Sequence, residues 1–202
     1  YSLHTLEQEY KYFFRGKTPE PARNCNSFII GTDIDVNEKG MVAILDGWSI
    51  TKHAATELSP EAGFYRQVVI DWLAGEGVIS PQRGTSHIFR VDLEGDGTDE
   101  VFISATHLDD SQHTTKAGDY SVVLMRKVVG SQAVTIPLVA DVYSSQELEI
   151  TFPRTYSFAN FIDLNQDGVL EVVVDIQQWE RFGAIVFQID GQRVTQSLRA
   201  EC

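Results

Sequence analysis

Apolar residues fall along this chain in two regimes. From about Thr85 onward they come in short runs, HIFRV, EVFISA, YSVVLMRKVV, AVTIPLVADVY, SFANFI, EVVVDI and AIVFQI, each bounded by Gly, Asp, Asn or Ser. Short alternating or β-branched runs between such residues are the signature of antiparallel strands. Upstream the spacing is helical. Pro60 to Ala74 is predicted to be a helix with Phe64, Val68 and Leu73 near helical spacing. Ser59 is the expected N-cap, Pro60 occupies the first helical position, where its missing N–H costs nothing, and Gly75 offers the stop. A shorter helix is expected over LHTLEQEYKYFF, where Leu3, Leu6, Tyr10 and Phe13 share a face. Thr18 to Asn26, rich in Pro and polar residues, reads as a connection. The expected class is α+β, mostly antiparallel β with one or two packed helices.

A repeat organises the β part. DLEGDGTDEVFIS runs from Asp92 and DLNQDGVLEVVVD from Asp163. The first is followed by GDYSVVLMRKVVG and AVTIPL, the second by ERFGAIVFQIDG and RVTQSL. Each unit reads strand, acidic loop, strand, longer loop, strand, tight turn, strand, a blade-like four-stranded sheet. The first has an insertion in its longer loop, from about His107 to Gly118. A fainter copy, DVNEKGMVAILD, keeps Asp35, Asn37 and Gly40 but places Lys39 and Ala43 at the third and fourth acidic positions. It reads as a hairpin without metal, Lys39 standing in the cation's place. One domain is expected over 1–202. Its N-terminal part, 1–84, holds the degenerate repeat at 35–46, and the two acidic-loop repeats span 85–140 and 155–202.

The acidic loops carry the chemistry. Asp163, Asn165, Asp167 and Glu171 fall at loop positions 1, 3, 5 and 9, Gly168 permits a sharp bend at position 6, and the Val169 carbonyl adds an oxygen at position 7. The other loop offers Asp92, Glu94, Asp96, the Thr98 carbonyl and Glu100, with Asp99 pointing outward. Calcium takes six to eight hard oxygen ligands in a flexible cage, and water completes such a shell. Two Ca2+ sites are therefore expected. An EF-hand needs a bidentate Glu at position 12, where these loops have Ile103 and Val174, and a strand rather than a helix follows. Turn propensity of Asp, Asn and Gly explains one such loop well; it explains less easily two loops with the same four positions filled.

DLEGDGTDEV and DLNQDGVLEV with their flanking strands resemble the FG-GAP or VCBS repeats of integrin α-subunit propellers and of many bacterial secreted proteins. With the copy from Asp35 included, the resemblance covers roughly two-thirds of the chain. It implies calcium held in blade-edge hairpins that support a β architecture for adhesion or carbohydrate contact, sometimes appended to enzymes. A propeller needs at least about four blades to close, so two full units and a partial one are too few.

Composition narrows the rest. Asp and Glu number 29 against 16 Lys and Arg, a net charge of -13, which argues against nucleic acid and anionic membrane surfaces. No apolar run is long enough to span a membrane as a helix. The chain starts at Tyr1 rather than Met, which leaves open whether a signal or lipoprotein anchor was removed; the expected setting is secreted, periplasmic or lipoprotein-anchored. Cys25 and Cys202 are either two free thiols or one disulfide closing most of the chain; an even count in an extracytoplasmic chain favours the bond. No GxSxG, P-loop or GxGxxG is present, and no catalytic residue is assigned. His107 and His113 lie with Asp109 and Asp110 in the inserted loop, but without HExxH spacing this reads as polar surface. His87 is read as a packed or rim residue. Trp72 is expected in the core, and Trp48 and Trp179 are the surface candidates for a sugar. The expected function is a calcium-stabilised, non-enzymatic module. The alternatives are a carbohydrate- or protein-binding adhesion module, and a hydrolase or its accessory domain.

Overall fold

A computed structural model describes residues 2–4, 9–10, 16–22, 25, 28–30, 42–44, 55–108, 113–143, 149–150 and 152–202. In the N-terminal part lie the short strands β1 (Ser2–His4), β2 (Glu9–Tyr10), β3 (Glu20–Pro21), β4 (Phe28–Ile29), β5 (Val42–Ile44) and β6 (Thr56–Leu58), followed by the helix α1 (Gly63–Gly75). Then come β7 (Thr85–Val91), β8 (Glu100–His107), β9 (Thr114–Thr115), β10 (Tyr120–Val129), β11 (Gln132–Val142), β12 (Glu149–Ile150), β13 (Thr155–Ile162), β14 (Glu171–Gln178), β15 (Arg181–Asp190) and β16 (Arg193–Glu201).

Two antiparallel sheets dominate, in the orders β11-β10-β8-β7-β6 and β13-β14-β15-β16. The repeat is visible in them: β7, β8, β10 and β11 correspond to β13, β14, β15 and β16, and each set is a meander. The first sheet gains β6 at one edge. Its insertion, after β8, contributes β9, which pairs with β12. Among the described residues the sheets form no closed barrel, and the structure is mostly antiparallel β with one helix, as an α+β reading requires.

Strand periodicity explains why β8 reads as almost continuously apolar. Successive side chains point to opposite faces, and both faces of this sheet are covered. Phe102 enters a core shared with the second sheet, while Val101, Ile103 and Ala105 enter a core roofed by Val68, Val69 and Leu73 of α1. Four phenylalanines of the inter-sheet core pack ring against ring. Phe102 lies 4.9 Å from Phe161 and 5.9 Å from Phe158, and Phe89 lies 5.7 Å from Phe158 between ring centroids. Phe158 and Phe161 are three residues apart, yet both face inward. A register shift between Phe158 and Asn160 supplies the extra residue that allows it. Away from the acidic loops, Tyr156 ties the sheets together. Its amide donates to Ser121 Oγ at 3.0 Å and its hydroxyl to Asp141 Oδ2 at 2.9 Å.

Three local expectations need correction. The helix begins at Gly63, and its N-cap, Ala62, makes no side-chain bond. Ser59 instead accepts from Glu61 N and Ala62 N, at 3.3 and 3.0 Å, making a turn that precedes the helix. The stop is Gly77 rather than Gly75. Gly77 has φ +89°, and the bonds from Gly77 N to Ala74 O and from Val78 N to Leu73 O close a Schellman motif. Third, the segment expected as a helix from Leu3 contains strands. Leu3 pairs with Tyr10 on one side and with Ala43 on the other, so long-range pairing overrides a weak helical pattern that also suits an aromatic-rich strand. The hairpin expected from Asp35, with Lys39, and Trp48 lie outside the described residues.

Cys25 and Cys202 are bonded, with Cα atoms 4.7 Å apart. Cys202 also exchanges two backbone hydrogen bonds with Phe182, at 2.8 and 3.0 Å, so the bridge fastens the N-terminal part to the second sheet. No helix among the described residues is long and apolar enough to cross a membrane.

Candidate metal centre

Each acidic loop is the turn between the first two strands of its unit: one joins β7 to β8, the other β13 to β14. The last strand pair before each loop is Val91 with Glu100 and Ile162 with Glu171. The position 9 glutamate therefore opens the returning strand, and its burial follows from that place. Glu100 is 2% exposed and Glu171 4%.

Four backbone-to-carboxylate bonds recur in both loops. The position 1 carboxylate accepts from the amides of positions 5 and 6: Asp96 N and Gly97 N to Asp92 at 3.1 and 2.8 Å, Asp167 N and Gly168 N to Asp163 at 3.2 and 3.0 Å. The position 5 carboxylate accepts from position 7: Thr98 N to Asp96 and Val169 N to Asp167, both at 2.8 Å. The position 9 carboxylate accepts from position 2: Leu93 N to Glu100 at 3.1 Å and Leu164 N to Glu171 at 2.6 Å. Positions 4 and 6 are left-handed in both, as Gly95 (φ 70°) with Gly97 (φ 86°) and Gln166 (φ 63°) with Gly168 (φ 89°). The sharp bend expected at Gly168 thus has its counterpart at Gly97, and only glycine adopts such φ without strain. Asp99 points away, paired with Arg90 at 3.1 Å on the surface.

The loops are neighbours. Leu170 N donates to Leu93 O at 3.0 Å, and both leucines are fully buried. The structure therefore brings all ten expected ligand residues to one rim, where the two sheets meet.

They differ in what sits between the carboxylates. In the Asp163 loop Asn165 Nδ2 donates to Asp167 Oδ2 and Glu171 Oε1, both at 2.9 Å, and Gln188 Nε2 reaches Glu171 Oε1 at 3.3 Å. Every described partner of Glu171 is a neutral N–H. Its pKa is raised, first by burial and then by the Asp167 and Asp163 charges, against the lowering effect of its hydrogen bonds. In the Asp92 loop the donor is charged. Lys127 Nζ donates to Glu94 Oε1 and, at 2.9 Å, to Glu100 Oε1. Burial raises the Glu100 pKa despite this bond. Burial also works against the Lys127 charge, but its two carboxylate partners outweigh it and its pKa is raised.

Lys127 and Gln188 were not among the expected site residues, though a signal for them exists. When the copies GDYSVVLMRKVVG and ERFGAIVFQIDG are aligned on their final glycines, the two residues coincide. Each lies on the strand beside its position 9 glutamate, β10 next to β8 and β15 next to β14.

Among the described residues no three His, Cys, Asp or Glu side chains converge to hold a metal by themselves. The Asp163 loop carries a mixed set of hard oxygen donors: the carboxylates of Asp163, Asp167 and Glu171, the amide oxygen of Asn165 and the carbonyl of Val169. That chemistry suits a hard cation and not a soft one. Asn165 Nδ2 now occupies the interior, so its oxygen must turn inward for the set to close.

The other candidates are scattered. His107 lies beside Tyr120, ring centroids 6.1 Å apart, whereas His113 packs on Trp179 at 4.2 Å and on Phe152 at 5.5 Å; Asp109 and Asp110 are outside the described residues. His87 is on the surface, 3.3 Å from Glu57, and Trp72 packs at the edge of the helix-covered core. Trp179 is 45% exposed beside a cavity of about 520 Å³ that Asp175, Gln177 and Phe182 also line. No protein family, curated protein or solved structure matches this chain.

Proposed function

We propose that this chain is a non-enzymatic, extracytoplasmic calcium-binding module of the FG-GAP or VCBS kind, in which Ca2+ held at a hairpin rim stabilises two blade-like sheets. The observation that carries the reading is the Asp163 loop: carboxylates at positions 1, 5 and 9, an amide at position 3, and a buried Glu171 whose partners among the described residues are neutral. A divalent cation there supplies the charge that burial demands. Calcium acts through linkage, because it binds the folded loop and not the unfolded chain, and its effect grows with free calcium. Sites with few charged ligands suit the high calcium outside cells. The disulfide supports the same setting, since such bonds persist in oxidising compartments.

Crystals grown in calcium provide the test. The expected result is anomalous density bounded by Asp163, Asn165, Asp167, the Val169 carbonyl and Glu171; water alone at that point contradicts the proposal. A second reading, contact with a carbohydrate or surface protein, is favoured by the exposed Trp179 ring, which packs at a tilt against His113. Loss of glycan-array binding in Trp179→Ala, with calcium binding intact, is its signature.

A further inference from the structure

The two loops share four backbone-to-carboxylate bonds, and the cross-strand residue facing position 9 is an ammonium in one and a neutral amide in the other. From this we infer that Lys127 is the resident cation of the Asp92 loop, so the chain takes one calcium, in the Asp163 loop, and the residue at the Lys127 or Gln188 position decides whether a loop takes metal. The inference rests on the calcium reading of the Asp163 loop.

The argument is geometric. Lys127 is 12% exposed and its nitrogen bridges Glu94 and Glu100, the residues at positions 3 and 9. Calcium in this loop needs those same oxygens. An ammonium hydrogen-bonded to them and a divalent ion bound to them repel at contact distance, in a site where screening by water is weak. Calcium therefore enters only by expelling the lysine from a buried partner. Glu94 contributes to the exclusion as well. A longer acidic side chain at position 3, where the other loop has Asn165, gives the ammonium a second carboxylate partner. In the Asp163 loop the donors Asn165 and Gln188 carry no charge and give way to a cation at far lower cost.

Isothermal titration with calcium chloride reads the stoichiometry directly. Wild type is expected to bind one ion and Lys127→Gln two. The reciprocal change, Gln188→Lys, is expected to bind none and to keep its melting temperature in chelator, because an ion pair replaces the metal. Two ions in wild type, one in folded Lys127→Gln, or undiminished binding in Gln188→Lys overturns the inference. If Lys127→Gln unfolds without calcium, Gln188→Lys decides alone. Should wild type bind none while Lys127→Gln binds one, the Asp163 reading fails and the role of Lys127 stands; no binding by either removes both.

Discussion

Leu170 N donates to Leu93 O at 3.0 Å, one residue before the position 9 glutamate of its own loop and one residue after the opening aspartate of the other. Leu93 N in turn donates to Glu100 Oε2 at 3.1 Å. The two loops are thus wired in series through the Leu93 backbone. On the proposed reading, calcium bound between Asp163 and Glu171 would restrain Leu170 and, through it, Leu93. Amide hydrogen exchange is expected to slow at both leucines on adding calcium to wild type, and to stay unchanged in Asp163→Asn. Protection at Leu170 alone would mean the loops respond independently.

Glu171 sets stability against responsiveness. Its folded pKa is raised above the ordinary 4.5, so its contribution to stability in the calcium-free protein is full below that value and is lost as pH rises through the raised one. Calcium needs the ionised form, which reverses the trend. The rise in melting temperature caused by calcium should be large near about pH 7.5 and absent near about pH 4.5. Glu171→Gln, which keeps an acceptor for Leu164 N without a buried charge, should melt higher than wild type in chelator near neutral pH and show no calcium response. A lower melting temperature in chelator contradicts the assigned cause.

The core between the sheets is the larger reservoir of stability. Phe102 is fully buried and touches the Phe158 and Phe161 rings of the facing sheet. Phe102→Ala removes a ring and leaves a cavity, at a cost of about 3–5 kcal/mol in chemical denaturation. Phe102 lies on the strand that begins at Glu100, next to the loop held by Lys127, so calcium stoichiometry should stay at one in the folded variant and stability should recover in Phe102→Leu.

The Cys25–Cys202 bond spans 177 residues of sequence. Closing so long a loop restricts the unfolded chain, and the paired change Cys25→Ser with Cys202→Ser should cost roughly 2–5 kcal/mol. Calcium stoichiometry should be unchanged, since the bridge meets the second sheet beside Phe182 at the end away from the acidic loops.

The β half of this fold was legible because its strands announce themselves locally. Alternation and turn residues mark the long strands of the two large sheets from Thr85 onward, though not the short β9 and β12, and two copies of one acidic loop reveal the repeat that the sheets display. The N-terminal half was not, because its pairing is long-range: nothing near Leu3 in sequence says that Ala43 lies beside it. The helix ends moved for a related reason, as Ser59 and Gly75 are plausible caps whose roles pass to a turn and to Gly77. At the site, side-chain type and loop position pointed to the ten candidate ligands, but only register placed Lys127 against Glu100 and Gln188 against Glu171. A residue contributed by a neighbouring strand has no spacing rule within the loop motif; it emerges when the copies are compared along their whole length.

A thermal melt of wild type and Asp163→Asn, each with excess calcium and with chelator, bears most directly on the account. At calcium a hundredfold above Kd the linkage is worth about 2.7 kcal/mol, which for a chain of this size raises the melting temperature by roughly 5–10 °C. The account predicts that rise in wild type and none in Asp163→Asn. Equal melting temperatures for wild type in calcium and in chelator would contradict it.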